Sequence, residues 1–112
     1  HDGTCIRDYI HVQDLASAHV RALDYLLEKE GKYVFNVGTG NGLSVLDIVN
    51  TFEEVNNLKV NYVIGPRRKG DVEKIYSDGS LIKNVLGWKS MRSTKEALIA
   101  SWQWKNSRML HQ

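Results

Sequence analysis

An amphipathic segment in the middle of the sequence constrains the fold most, because it carries its own start signal. Ser44 followed by Asp47 forms a capping box, in which each side chain bonds the backbone N–H of the other residue. Apolar residues then recur every three or four positions, as one face of an α-helix requires: Val45, Ile48, Val49, Phe52 and Val55. The sequence therefore predicts a helix that must bury one side against other elements.

Three β-rich runs predict the strands that such a helix would cover. They occupy residues 6–12, 33–37 and 60–64. With 112 residues and 42% hydrophobic content, the chain is expected to form one α/β domain over residues 1–112. On folding, a domain of this length buries about 60% of the surface that its unfolded chain exposes, so its stability is expected to be modest.

Three further helices are predicted around the central one. The first starts near Asp14, its expected N-cap, and stops at Gly31. A short helix covers residues 78–86, and a longer one starts at Ser93, where Glu96 completes a second capping box. The expected fold is thus a small α/β lobe with few short strands and about four helices.

Composition excludes several classes of partner. The 15 basic and 13 acidic residues are mixed along the chain and leave a net charge of +2, so no nucleic-acid-binding surface is expected. No run of about 18 apolar residues and no signal-peptide pattern occurs, so no membrane partner and a cytoplasmic location are expected. Cys5 is the single cysteine and cannot form an intrachain disulfide, which agrees with a reducing compartment.

The first candidate binding feature is one face of the first predicted strand, where Arg7, Tyr9 and His11 alternate. A guanidinium group suits a phosphate, and an aromatic ring suits a sugar or a base. The alternative is an ordinary exposed face of an edge strand. For His11 the favoured interpretation is a hydrogen-bonded packing residue beside the helix start.

The second feature is the glycine-rich run 38–42 between a strand and a helix, which invites a dinucleotide-binding interpretation. That pattern would need glycine at position 43, where Leu43 stands, and no acidic ribose partner follows about 20 residues later. The run is therefore predicted to be a turn that delivers Ser44 to its helix. Val45 could still touch a ligand from the start of that helix.

The third feature is the loop 66–71, in which three cations precede a carboxylate. An arginine there could neutralise a diphosphate, and Asp71, which only accepts hydrogen bonds when ionised, could hold ribose hydroxyls. A solvated charged loop is the alternative, and it is favoured for Arg67 and Lys69.

Several segments, in order, resemble UDP-glucose 4-epimerases of the extended short-chain dehydrogenase/reductase superfamily, and they cover nearly the whole chain. They are Asp2-Gly3-Thr4-Cys5-Ile6-Arg7-Asp8-Tyr9-Ile10-His11-Val12 with Asp14-Leu15-Ala16, Asn36-Val37-Gly38-Thr39-Gly40, Ser44-Val45-Leu46, Pro66-Arg67-Arg68-x-Gly70-Asp71, and Leu86-Gly87-Trp88 with Ser101-Trp102-x-Trp104. The resemblance implies a C-terminal lobe that binds the UDP-sugar. A Rossmann domain that binds NAD would precede it in the parent enzyme and is absent from this chain.

The same resemblance implies roles for single residues. Arg7 and Arg68 would contact the diphosphate, and Tyr9 and Val45 would lie beside the nucleotide. Asp71 would bind the ribose of uridine.

Ile75 stands at the position that would face the hexose. It is neither the large tyrosine nor the small cysteine associated with this position in the family. We therefore expect some tolerance for bulkier, N-acetylated sugars.

The resemblance also implies what the chain would not do. In such enzymes the tyrosine of a Tyr-x-x-x-Lys pair removes the C4 hydroxyl proton and NAD takes the C4 hydride. The 4-keto sugar then turns before the hydride returns to its other face. This chain is expected to lack that pair and the NAD loop, to bind no cofactor alone and to be inactive, while it anchors UDP.

The sequence is expected to begin inside a longer protein, because its first residues contain no start of a domain. Loss of the neighbouring domain would expose apolar surface and favour self-association. Two alternatives remain open: a lobe of another nucleotide-sugar decarboxylase or dehydratase, and a non-catalytic nucleotide-binding or assembly module.

Overall fold

The computed structural model describes residues 2–110, without the side chains of residues 109 and 110. Its elements in chain order are β1 Ile6–Arg7, α1 Val12–Glu28, β2 Leu43–Ser44, α2 Val45–Asn56, α3 Ser80–Leu86 and α4 Thr94–Leu110. The α/β class and the number of helices agree with the prediction from sequence, but the strands are much shorter. None of the described helices is both long and apolar enough to cross a membrane.

The sheet is a two-stranded antiparallel ribbon. Its register places Ile6 opposite Ser44 and Arg7 opposite Leu43. On its other side Ile6 exchanges backbone hydrogen bonds of 2.8 and 2.9 Å with residues 73–75, which form a parallel bridge. Three stretches of chain therefore meet at the first strand.

Two of the three predicted strands are wrong, and the third is too long. Residues 33–37 and 60–64 form no strand in the part of the chain that the structure describes, and the run 6–12 pairs over two residues. Val34 is 85% exposed and Val63 is 93% exposed. Because strand propensity reflects packing against neighbouring strands, an apolar β-rich run without such neighbours does not become a strand.

The helix starts that carry capping boxes are confirmed. Ser44 Oγ accepts a hydrogen bond of 3.0 Å from the amide of Asp47, and the amide of Ser44 donates one of 3.0 Å to the carboxylate of Asp47. Ser93 and Glu96 make the same reciprocal pair before α4, at 3.1 and 3.2 Å. The short helix α3 begins at Ser80, two residues later than predicted.

The start of α1 differs from the prediction, because His11 and not Asp14 is its N-cap. His11 Nδ1 accepts a hydrogen bond of 3.0 Å from the amide of Gln13, which confirms its predicted packing role. Asp14 is instead buried inside the first turn and accepts the amides of residues 91–92 at 3.1 and 2.9 Å. The helix also ends at Glu28, before the predicted stop.

A small core joins α1 and α3. Its fully buried apolar members are Ala18, Ile82 and Trp88. The indole N–H of Trp88 donates to Ser17 Oγ at 2.8 Å, so the polar end of this buried side chain is satisfied. Separately, α2 packs on α4, where Phe52 and Trp102 meet edge to face at 5.6 Å.

Candidate functional site

A cleft of 360 Å³ opens beside the N-terminal end of α2. Three segments line it: residues 3–5, the first turn of α2, and residues 62–68 together with Asp71. Three of the residues predicted to bind ligand, Val45, Arg68 and Asp71, lie in this lining.

Arg68 and Asp71 form an ion pair at the cleft. Arg68 Nε donates to Asp71 Oδ2 at 2.9 Å, and the amide of Asp71 donates to the carbonyl of Arg68 at 3.3 Å. The arginine side chain is 83% exposed and the aspartate side chain 23%. The pair uses one of five guanidinium donors, and the four Nη–H groups have no partner among the described residues. These donors can bind an anion while Asp71 holds the guanidinium in place.

The residues at the start of α2 are fixed by the segment that precedes β1. Asp2 accepts hydrogen bonds from Ser44 Oγ and from the amide and hydroxyl of Thr4, and these bonds lower the pKa of Asp2 to about 2. The amides of residues 45–46 donate to the carbonyl of Cys5 at 3.1 Å and to Thr4 Oγ1 at 3.2 Å. Since these first amides of the helix are already paired, contacts to an anion in the cleft fall to the side chains of Arg67 and Arg68, which both line it.

Arg7, Tyr9 and Ile75 do not line this cleft. Arg7 Nη1 donates to the carbonyl of Ile6 at 2.8 Å, and Ile75, about half exposed, donates its amide to the same carbonyl. The structure therefore divides the six predicted residues into two groups: one lines the cleft, and the other lies in or just after β1 and in the segment bonded to that strand.

Tyr62 is a cleft residue that was not predicted from the sequence. It is 52% exposed in the lining, next to the loop with the charged pair. The segment before it is tied to α2 by a bond of 2.8 Å from the amide of Val60 to Glu53 Oε2. An aromatic residue four positions before Pro66 was the available signal, but the predicted strand at 60–64 obscured it.

Asp8 joins three separate segments, and this role was also missed. Its Oδ1 accepts the amide and the hydroxyl of Thr39 at 2.9 and 2.7 Å. Its Oδ2 accepts the amides of Gly40 and Ser77 at 2.9 and 3.1 Å. Burial alone would raise the pKa of Asp8, but the hydrogen bonds outweigh it and lower the pKa below 3.8.

The glycine-rich run is a turn, as predicted, and Gly38 is required where the turn passes Asp8. A Cβ atom at Gly38 would lie 2.6 Å from Asp8 Oδ2 and 2.6 Å from the Cβ of Ser77. Because the amides of Thr39 and Gly40 donate to Asp8, the turn does not fit the pyrophosphate of NAD. Among residues 2–110 there is also no group of His, Cys, Asp and Glu side chains that could hold a metal ion.

The expectation that the chain has no Tyr-x-x-x-Lys spacing is wrong, because Tyr25 is followed by Lys29. The structure nevertheless gives this pair a packing role at the end of α1. Lys29 Nζ lies 5.3 Å from the centroid of the Tyr25 ring, and that ring packs edge-on against Tyr33 and Phe35. Neither residue lines the cleft.

Known proteins are similar to this chain in sequence and in fold. The model of the NAD dependent epimerase/dehydratase family matches residues 1–38. The UDP-glucose 4-epimerase of Pasteurella multocida is 47% identical over 105 residues, which are 94% of this chain and 31% of that protein. Nearly the whole chain is thus similar to one part of UDP-glucose 4-epimerases, and its first 38 residues match the family model. The chain spans about a third of the length of the epimerases that it matches.

Solved epimerase structures contain the same fold. The UDP-glucose 4-epimerase of Stenotrophomonas maltophila, with bound NAD and formylated UDP-arabinopyranose, matches all of this chain and 33% of that one, with a TM-score of 0.95 and 41% identity. The enzyme of Bifidobacterium longum, in complex with NAD⁺ and UDP, matches 95% of this chain and 31% of its own, with a TM-score of 0.88 and 42% identity.

The pKa of Asp8 predicts an acid-sensitive fold. Because the pKa is lower in the folded chain than in the unfolded chain, folding is favoured above the unfolded value, and this contribution is lost as the pH falls through the folded value. We expect Asp8→Asn to lower the free energy of unfolding by about 1–3 kcal/mol near neutral pH. The variant should lose less stability than the wild type as the pH drops below about 4. Urea unfolding in neutral and acidic buffers measures both quantities, and equal acid losses in the two proteins would contradict the assignment.

Proposed function

We propose that this chain is the UDP-sugar-binding lobe, over residues 1–112, of an enzyme that interconverts UDP-glucose and UDP-galactose. The observation that carries the proposal is the cleft in which an arginine with unused donors, a carboxylate and an aromatic ring meet. Its epimerase relatives of similar fold bind UDP or a UDP-sugar. In this proposal the lobe belongs to the C-terminal part of the complete protein.

Each group in the cleft suits one part of uridine diphosphate. The free Nη–H donors of Arg68 match phosphate oxygens, and Asp71 keeps Oδ1 as an acceptor for ribose hydroxyls. Tyr62 offers a ring on which a base can stack, and Val45 adds an apolar wall at the start of α2. The cleft is open and small, so it would hold the nucleotide by one side.

Arg7, Tyr9 and Ile75 supply the second half of the proposed site. Arg7 lies in β1, Tyr9 follows that strand by two positions, and Ile75 lies in the segment bonded to it. None of the three lines the cleft. Arg7 would contact the diphosphate, Tyr9 the nucleotide and Ile75 the hexose. The lobe alone would anchor substrate without catalysing a reaction, because NAD supplies the hydride chemistry and the turn beside Asp8 does not fit NAD.

Two alternatives remain. A decarboxylase or dehydratase acting on another nucleotide-sugar would use the same anchoring groups, and the identity of the sugar converted by the complete enzyme distinguishes them. A non-catalytic nucleotide-binding or assembly module is the second. The similarity to UDP-glucose 4-epimerases along nearly the whole chain favours the epimerase.

The isolated chain should bind UDP weakly. One or two arginine contacts contribute about 1.5–3 kcal/mol each before ordering costs, whereas a dissociation constant of about 1 mM requires about 4 kcal/mol. An NMR titration with UDP should shift signals of residues that line the cleft. We expect Arg68→Ala to weaken binding at least about tenfold, the equivalent of 1.4 kcal/mol.

Two controls make that titration specific. Lys69→Ala removes the same charge from the same loop but lies outside the cleft lining, and it should leave the affinity unchanged. Uridine, which lacks phosphates, should bind more weakly than UDP. A folded wild-type chain that shows no response at millimolar UDP would overturn the proposal for this cleft.

The side chain of Ile75 predicts the sugar preference of a complete enzyme. Replacing it by a tyrosine would fill space beside the hexose, so Ile75→Tyr should reduce turnover of N-acetylated UDP-sugars more than turnover of UDP-glucose. The ratio of the two kcat/KM values measures this change. An unchanged ratio would show that Ile75 does not face the hexose.

An exposed apolar stripe on α1 supports a partner domain. Its members recur at steps of three and four residues: Val12, Ala16, Val20, Leu23 and Leu27. Four of the five are large, and each of these is more than half exposed, with Leu27 at 77%. We propose that the stripe packs against the NAD-binding Rossmann domain of a complete protein. In a chain without that domain, the stripe would drive self-association.

Sedimentation velocity tests the role of the stripe. The isolated chain should form dimers or larger species as its concentration rises, and Leu23→Glu should return it to a monomer because the charge would be buried in the contact. Leu81→Glu introduces the same charge at a comparably exposed position of α3 and should leave the association unchanged. Equal effects of both variants, or a monomeric wild type, would contradict the proposal.

A further inference from the structure

We propose that Asp8 is the positioning residue of the nucleotide-sugar site. Its carboxylate would hold β1 against the turn at 39–40 and against Ser77, and so keep Arg7 and Ile75 in the arrangement that the ligand requires. This inference rests on the proposed function and adds a residue to it that touches no ligand.

The acceptor sites of the Asp8 carboxylate are all used. An ionised carboxylate has about four acceptor sites, and four hydrogen bonds reach Asp8, all between 2.7 and 3.1 Å. The donors lie 31, 32 and 69 positions away along the chain. A single side chain therefore joins segments that share little other regular structure.

Asp8 also lies close to the residues that it would place. Arg7 and Tyr9 are its neighbours in sequence, and Ser77 follows Ile75 by two positions. The backbone pairing of Ile6 with residues 73–75 is a single bridge, which is weak without further strands. The hydrogen bond from the amide of Ser77 to the carboxylate of Asp8 adds a second contact between the same two segments.

The carboxylate of Asp8 is closely surrounded by the turn at residues 38–40. A Cβ atom on Gly38 would come within 2.6 Å of Asp8 Oδ2, so the turn approaches the carboxylate as closely as a glycine permits. An asparagine has nearly the same shape, but its NH₂ group would face N–H donors on one side. The substitution Asp8→Asn thus removes acceptor sites with little change in volume.

Asp14 provides a matched control elsewhere in the fold. It is also an aspartate that accepts two backbone amides from a distant segment, and it is buried. Its bonds join α1 to residues 91–92, and neither partner belongs to the proposed site. Asp14→Asn should therefore lower stability without changing ligand contacts.

The experiment compares Asp8→Asn and Asp14→Asn in the full 112-residue chain by NMR. Native-state hydrogen exchange of the amides of Ile6 and Ile75, relative to amides of α4, should rise about tenfold or more only in Asp8→Asn. The dissociation constant for UDP should likewise rise about tenfold, a change of 1.4 kcal/mol, in Asp8→Asn. It should change less than about twofold in Asp14→Asn.

The possible results separate this inference from the proposed function. Unchanged relative exchange in Asp8→Asn overturns the positioning role, and so does raised exchange with unchanged UDP affinity. Failure of the wild type to bind UDP refutes the proposed cleft function, and with it the ligand-positioning role. If Asp8→Asn does not fold, Thr39→Val, which removes one of the four bonds, should show smaller changes in the same direction, and their absence overturns the inference.

Discussion

The carboxylate of Asp8 is the contact on which the arrangement around the first strand depends. The sheet of this chain consists of two residues in each strand and one bridge, which is too little to hold three segments together. Asp8 accepts hydrogen bonds from two of those segments while its own backbone extends the third. Loss of this carboxylate would leave partly buried donors unsatisfied at a cost of about 1–3 kcal/mol, and this would weaken the contact between the segments.

Aspartates at two other points use the same physical device. Asp2 binds Thr4 and Ser44 before the first strand, and Asp14 binds the amides of residues 91–92 behind α1. In each case a short acidic side chain accepts hydrogen bonds from at least one backbone amide and from a distant segment of the chain. In a larger sheet such amides would donate to backbone carbonyls. The pKa of each of these carboxyl groups is lowered, since the bonds favour the charged form. Acid would therefore loosen several long-range ties together.

Local signals in the sequence were sufficient for the helices and insufficient for the strands. The capping boxes at Ser44 and Ser93 involve residues three positions apart, so the sequence contains the whole interaction. A strand needs a neighbouring strand, and local sequence does not show which segment that will be. The runs 33–37 and 60–64 have no such neighbour among the described residues. The N-cap of α1 was misplaced because Asp14, a good capping residue, is used in a contact with residues far along the chain.

Some residues of the candidate site could likewise be predicted from local spacing, and others could not. Arg68 and Asp71 were both candidates from one loop, where they lie three residues apart, and the structure shows that they form an ion pair. The place of Tyr62 in the cleft depends on how a loop after α2 returns to residues 3–5, which no spacing rule gives. The role of Asp8 likewise could not be derived, because its donors are dispersed over distant positions although Asp8 itself stands inside a recognisable motif.

The proposed partner domain gives one physical reason for two separate observations. Residues 33–37 are β-rich yet have no strand partner in the part of the chain that the structure describes, and Val34 is 85% exposed. They follow the helix whose outer stripe is also exposed. A sheet edge with a covering helix is the arrangement in which such a run and such a stripe are both buried. Both features lie within residues 1–38, the part of the chain that the NAD-dependent epimerase/dehydratase model matches. If the partner supplies that sheet, the failed strand prediction at 33–37 reflects a missing neighbour more than a misjudged sequence.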